Sequence, residues 1–234
     1  MVQVRSLFFD VFGTVVDWRG GVAHGAETLL APLGYDLDWL AFADAWRSEY
    51  QPAMEEVRAG RIPFSKLDVL HRYNLDRIRP RFGLDRLSDE DCRRLNLVWH
   101  RLPAWPDSTE GLRRLRAKFL IAPVSNGNIS LMVDIARRND FMWDAILGAE
   151  VARDYKPKPE VYNAACAAFD LPPDQCMMVA AHSSDLAAAA AHGLRTAHIA
   201  RPNEHGPGKG EADPTVPVDI AAKDLIDLAA KLSA

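Results

Sequence analysis

Two regimes of apolar and polar positions divide the chain. Residues 4–9 form a short apolar run, interrupted by Arg5 and Ser6, that reads as a buried strand ending at Asp10. From about Asp17 to Arg101 the pattern is helical. Residues 21–33 predict a short helix closed by Gly34, and residues 38–59 a longer amphipathic one ended by Gly60. Pro63 opens another, with Phe64, Leu67, Leu70 and His71 on one face. Ser88 then places a capping hydroxyl before Asp89, Glu90 and Asp91, the acidic first turn of a helix carrying Leu95, Val98 and Trp99. From Trp105 helix and strand alternate. Helices are predicted at 107–118, 129–139, 159–169 and 184–192, and strands at 119–124, 145–148, 176–180 and 195–199. A Gly/Pro-rich polar stretch, 201–217, reads as a surface excursion before a last helix with Leu225, Leu228 and Leu232.

Alternating helices and strands predict a parallel sheet with crossover helices, so the fold class is α/β with a Rossmann-like core. The helical stretch predicts an inserted cap at 17–101, with residues 1–16 and 102–234 as the core. In such a sheet ligands bind beyond the carboxyl ends of the strands, so those ends can be read as one site. The first carries Asp10, Val11, Phe12, Gly13 and Thr14, and the second Ser125, Asn126, Gly127 and Asn128. The third runs on to Lys156 and Pro157, and the fourth carries His182, Ser183, Ser184 and Asp185. Alone, Asp10 is equally a turn acid or a reactive group, with Gly13 permitting a tight turn and Thr14 offering a hydroxyl. Four polar strand ends in register make a site.

Composition narrows the class. The chain has 234 residues, 48% hydrophobic and 26% charged, with net charge −4, which fits a soluble globular protein and argues against a nucleic-acid binder. No stretch approaches the roughly 18–20 apolar residues needed to span a bilayer, and the N-terminal run lacks the features of a signal peptide. The three cysteines, Cys92, Cys166 and Cys176, have no metal-type spacing and read as small core residues in a reducing cytoplasm.

Together the four strand ends, in this order, resemble the haloacid dehalogenase-like hydrolases, and the helical insert matches the position of that superfamily's cap. The resemblance covers most of the chain. It implies Asp10 as nucleophile, held by Thr14, Lys156 and Asp185. Phosphatases of the superfamily carry a second acid two residues after the nucleophile, where this chain has Phe12, and hold magnesium with acids near the fourth motif, where it has one, Asp185. An aromatic at the acid position suits a leaving group that needs no proton, such as halide. The stretch from Phe9 to Thr14, with Lys156-Pro157 and Tyr162, looks like the 2-haloacid dehalogenase branch, whose enzymes use no metal or cofactor.

That branch implies displacement of halide by Asp10, an ester, and its hydrolysis, with inversion at carbon 2. It implies Arg47, after Trp46, as the halide acceptor, Ser125 and Asn126 as binders of the substrate carboxylate, and Tyr162 as a support of Lys156. Val11 and Phe12 would border the substrate. The expected partner is a small anionic haloacid. Many members have Asn where this chain has His182, and the expectation is that His182, with Trp18 and Arg19, narrows the halide pocket. Other readings stand beside these: Arg47 as a surface arginine, Tyr162 and His182 as core residues, a phosphatase or phosphonate hydrolase on the same fold, and a non-catalytic binding protein. Trp39, Trp46 and Trp99 read as cap core or as an interface, and an exposed aromatic cap face makes a homodimer an expectation.

Overall fold

The computed structural model describes residues 3–234. Strand β1 (Ser6–Phe9) leads directly into the turn that carries Asp10. Five α-helices follow: α1 (Trp18–Leu30), α2 (Trp39–Ser48), α3 (Tyr50–Arg58), α4 (Leu67–Ile78) and α5 (Asp89–Asn96). Side chains cap three of the five starts, of which the sequence named Ser88. Asp17 accepts the Gly20 N–H at 2.9 Å, Asp38 the Ala41 N–H at 2.9 Å, and Ser88 the Asp91 N–H at 3.1 Å. The expected single helix over 38–59 is two helices meeting at Glu49. Pro52 lies in the first turn of α3 and has no N–H for the Ser48 carbonyl, so the helix restarts there.

The remainder alternates as expected: α6 (Ser108–Arg116), β2 (Leu120–Ser125), α7 (Ile129–Arg138), β3 (Leu147–Gly148), the single turn α8 (Ala149–Ala152), α9 (Pro159–Ala168), β4 (Cys176–Ala180), α10 (Ser183–Ala191) and β5 (Arg195–Ile199). Strand β6 (Ile220–Ala222) and helix α11 (Leu225–Lys231) close the chain. Three residues with no apolar alternation gave β6 no signal in the sequence. All pairings are parallel, in the order β3-β2-β1-β4-β5-β6. This is the expected α/β, Rossmann-like sheet with a helical cap.

Strand β1 is central and buried on both faces, which is why it is continuously apolar. Leu7 and Phe9 face a core that continues into the cap through Phe12, Trp18, Trp46 and Trp99, whereas Phe8 faces the layer of α9 and α10 with Val161 and Leu186. Trp46 and Trp99 are therefore interior, and Trp39 is partly buried against them. The apolar side chains that the cap does expose include Val69, Tyr73 and Leu97. The three cysteines are free and buried, and no helix among the described residues is long and apolar enough to cross a membrane.

The loop 201–217 runs over the surface, as the sequence suggested, but two of its charged side chains turn inward. Arg201 and Glu204 are buried. Arg201 forks onto both oxygens of Asp107 at 2.9 and 2.7 Å and donates through Nε to the Thr14 carbonyl at 2.9 Å. Glu211 caps the N–H of Ser183 at the start of α10. The loop is thus folded back over the strand tips by ion pairs, which hydropathy cannot register.

Candidate active site

Asp10 sits at the tip of β1, with its own N–H on the Val179 carbonyl of β4 at 3.0 Å. Both carboxylate oxygens are engaged. Thr14 donates its hydroxyl to Oδ2 at 2.8 Å, and that hydroxyl in turn accepts the Ala181 N–H at 2.9 Å, which orients its proton toward the acid. Lys156 donates to Oδ1 at 2.9 Å and also bonds Asp185 on α10. Tyr162, one turn into α9, donates to the other oxygen of Asp185 at 2.6 Å. The main chain of Lys156 is fixed as well, its N–H on Asn126 Oδ1 at 2.8 Å. The strand ends therefore bring Asp10, Thr14, Asn126, Lys156, Tyr162 and Asp185 together, as expected of a parallel sheet.

Burial opposes the charge on Asp10, but Lys156 and His182 more than offset it and hold the carboxyl far below the usual carboxylate range. Lys156 is likewise buried, and Asp10 and Asp185 raise its pKa above that of an ordinary lysine. Burial, reinforced by Asp185, raises the Tyr162 phenol, which stays a proton donor. The result is an ionised, aligned carboxylate beside a protonated lysine.

His182 stands on the opposite side of Asp10, its Nδ1 3.2 Å from Oδ2. Its Nε2 meets Glu204 at 2.9 Å, and Glu204, 2% exposed, also accepts the indole N–H of Trp18 at 2.9 Å. Both ring nitrogens therefore face carboxylates and neither is left for a halide. Arg19 is paired with Asp44. The ring thus joins an Asp10–His182–Glu204 chain while still bordering the cavity. Gly13 makes room for it. Its φ is +87°, and a Cβ there would lie 2.1 Å from Glu204 Oε1.

The cap closes the site. Arg47 lies over the ring of Tyr50, 3.9 Å from its centroid, with Trp18 at 5.1 Å and Phe12 at 5.8 Å. Its Nη1 is buried without a hydrogen-bond partner among the described residues. Phe12, 2% exposed, packs edge-on to Trp99 and Tyr50. Arg47, Tyr50 and Phe12 border a cavity of about 580 Å³ that also exposes Asp10, Asn126, Lys156, Tyr162, His182 and Asp185. Val11 and Ser125 do not reach it. The Val11 carbonyl accepts the N–H groups of Val15 and Val16, and the Ser125 hydroxyl accepts the Gly127 N–H at 3.1 Å, so both shape turns behind the cavity. A hollow of about 900 Å³ at the opposite ends of the strands is bordered by Arg113 and Arg116, each already paired to an acid, and has no such convergence.

A haloacid dehalogenase-like hydrolase family model matches residues 4–193. The chain belongs to the haloacid dehalogenase-like hydrolases. A solved structure of a defluorinating L-2-haloacid dehalogenase is 44% identical and superposes with a TM-score of 0.96, covering 99% of this chain and 96% of the other. A second L-2-haloacid dehalogenase structure is also 44% identical, with a TM-score of 0.94 over 98% of this chain and 99% of that one. An (S)-2-haloacid dehalogenase of Pseudomonas sp. strain CBS-3 is 28% identical over 210 residues, 87% of this chain and 88% of its own.

Several residues of this hydrolase site escaped the sequence reading. Tyr50 and Arg58 come from α3. Glu204 and His205 follow β5, a fifth strand end, and the rule applied to the other four would have included them. His182, Glu204 and His205 also offer ligand atoms within 4.8 Å of one another. His182 Nε2 and the Glu204 carboxylate already bind each other, so a cation there would have to break that pair.

Proposed function

We propose that this hydrolase removes halide from short 2-haloalkanoic acids, haloacetates and 2-halopropionates, through an ester on Asp10. The core would be residues 1–16 and 102–234 and the cap 17–101. Arg47 is the observation that carries this reading. A buried guanidinium with a free Nη1, packed on Tyr50 in the Asp10 cavity, supplies a cation for a departing anion where no proton donor is needed.

Asp10 Oδ1, bonded among the described residues only by Lys156, attacks the halogen-bearing carbon while Thr14 and His182 hold Oδ2. Carbon–oxygen bond formation and carbon–halogen cleavage are in line, so a chiral carbon 2 inverts. Arg47 receives the halide. The Asn126 amide, on a turn shaped by Ser125, receives the substrate carboxylate, and Val11 and Phe12 support the wall beneath. Water then attacks the ester carbonyl, with Asp185 positioning both Lys156 and the water. No cofactor or metal enters this scheme. Both Asp185 oxygens are bonded, one to Lys156 and one to Tyr162, which leaves a magnesium-dependent phosphatase poorly supplied with ligands. The protein's setting is taken to be cytoplasmic and its assembly a homodimer, which light scattering in solution tests directly.

The deciding experiment is multiple turnover of 2-chloropropionate in heavy-oxygen water with a chelator present. Chloride release with label in the Asp10 carboxylate is expected. Chloride release with unlabelled Asp10 would mean that water attacks carbon directly. Chelator-sensitive phosphate release from phosphoesters, without dehalogenation, would replace this reading with the phosphatase.

A further inference from the structure

We infer that His182, held by buried Glu204, is the oxyanion donor for hydrolysis of the Asp10 ester, so that the Asp10–His182–Glu204 chain serves the second chemical step. The inference rests on the dehalogenase reading above and assigns that site a further catalytic group. The two Asp10 oxygens are held differently. Oδ1 contacts Lys156, and Oδ2 contacts both Thr14 Oγ1, at 2.8 Å, and His182 Nδ1, at 3.2 Å. Once Oδ1 carries the substrate carbon, Oδ2 is the ester carbonyl oxygen. It already lies against a hydroxyl donor, with the imidazole Nδ1 in ion-pair contact at 3.2 Å, and both become donors to a tetrahedral intermediate's oxygen.

Glu204 makes the imidazole suited to this. It lies within 2.9 Å of Nε2 and is itself fixed by the Trp18 indole. The charged and titratable groups around the ring are Asp10 at the β1 tip, His198 on β5, Glu204 and His205 in the following loop, and Lys156 across Asp10. Burial works against a charge on His182, yet hydrogen bonds to Asp10 and Glu204 raise its pKa from 6.5 to about 10. When Asp10 becomes an ester its negative charge is gone, but Glu204 still neutralises the imidazolium, which then faces a carbonyl about to gain charge.

The step balances without a co-reactant. Water oxygen bonds to Cγ of Asp10 and gives one proton to Asp185. The carbonyl electron pair moves onto Oδ2, between Thr14 and His182. On collapse the carbonyl re-forms and the Cγ–Oδ1 bond breaks. Its electron pair leaves with the 2-hydroxyacid oxygen, which takes a proton from Lys156. The two remaining water-derived protons, on Asp185 and the new carboxyl, reprotonate Lys156 and leave one for solvent.

The test is rapid quench of the full chain with excess 2-chloropropionate, reading chloride and intact protein mass, for wild type, His182→Phe, which keeps a ring but has no donor, and Glu204→Gln. In His182→Phe the first equivalent of chloride is expected within about tenfold of the wild-type rate. Steady turnover should fall about 10²–10³-fold, the loss typical of an oxyanion donor, and the ester should accumulate toward one per chain. For Glu204, a positioning residue, ester decay in Glu204→Gln should fall off from near pH 6.5 upward, where wild type stays flat, and Glu204→Asp should restore part of the alkaline range. Equal slowing of chloride release and turnover without accumulated ester would overturn the inference, because His182 would then act in displacement. Unchanged turnover would overturn it too. Absence of chloride from wild type would instead sink the dehalogenase reading, and this inference with it.

Discussion

Arg58 on α3 donates through Nη1 to the main-chain carbonyl of Lys156 at 2.8 Å. A cap helix thus holds the backbone of the residue that aligns Asp10. The guanidinium is itself fixed by Gln51 and Glu55 on its own helix. The bond couples cap position to the alignment of Asp10, and Arg58→Met should expose that coupling. A charged hydrogen bond of this kind contributes about 1.5–3 kcal/mol, and a tenth of the rate corresponds to about 1.4 kcal/mol. We expect kcat/KM on 2-chloropropionate to fall roughly tenfold or more and the thermal midpoint to drop. Steady-state chloride release at unchanged midpoint and unchanged kcat/KM would contradict the coupling.

Arg47 cannot be replaced by lysine. Its planar group lies over Tyr50 at 3.9 Å and borders the cavity, and an ammonium reproduces the charge but neither the stacking nor the fork. Arg47→Lys should lose about 10–100-fold in kcat/KM, or about 1.4–2.7 kcal/mol. Tyr50→Phe, which keeps the ring, should lose far less. Comparable kinetics for Arg47→Lys and wild type would remove the arginine from the halide step.

Phe12 tests what separates halide displacement from phosphoryl transfer. It is 2% exposed and meets Trp99 at 5.9 Å and Tyr50 at 6.4 Å between ring centroids. Phe12→Asp places an unpaired carboxylate in this apolar contact, so it should destabilise by more than the about 3–5 kcal/mol typical of Phe→Ala. It should not produce a phosphatase. Urea unfolding of Phe12→Leu and Phe12→Asp, with p-nitrophenyl phosphate as a side assay, checks both statements. A well-folded Asp variant that releases phosphate would refute them.

Stability should depend on pH through His182. A group that binds its proton more tightly in the native state stabilises it fully below its unfolded pKa, near 6.5. That contribution declines as pH rises and is gone once pH passes about 10. One such proton costs at most about 1.4 kcal/mol per pH unit. His100, raised by Asp68 and Asp134 against its own burial, adds to the same decline. Glu204→Gln removes only the part due to Glu204, so its unfolding free energy, measured in urea from pH 6.5 to 9.5, should fall less steeply than wild type. Parallel slopes would show that Glu204 does not hold the proton on His182.

Asp10, Thr14, Lys156 and Asp185 were legible in the sequence because each lies directly after an apolar strand or at the start of the next helix. Parallel strands bring such positions to one edge whatever the rest of the chain does. The cap was legible as an unbroken helical pattern inserted after one strand. Phe12 in place of an acid became readable once the family resemblance was in hand. Glu204, Arg201 and Arg58 were not legible in this way. Glu204 and Arg201 lie in a polar Gly/Pro loop, and Arg58 on a polar helix face, so local pattern assigns all three to solvent. Only the tertiary structure supplies the partners, His182, Asp107 and the Lys156 carbonyl, that make their burial favourable. Periodicity reports which face of an element is apolar, and so it places strand tips. Pairing between charges distant in sequence leaves no period, and here it decides how Asp10 is held.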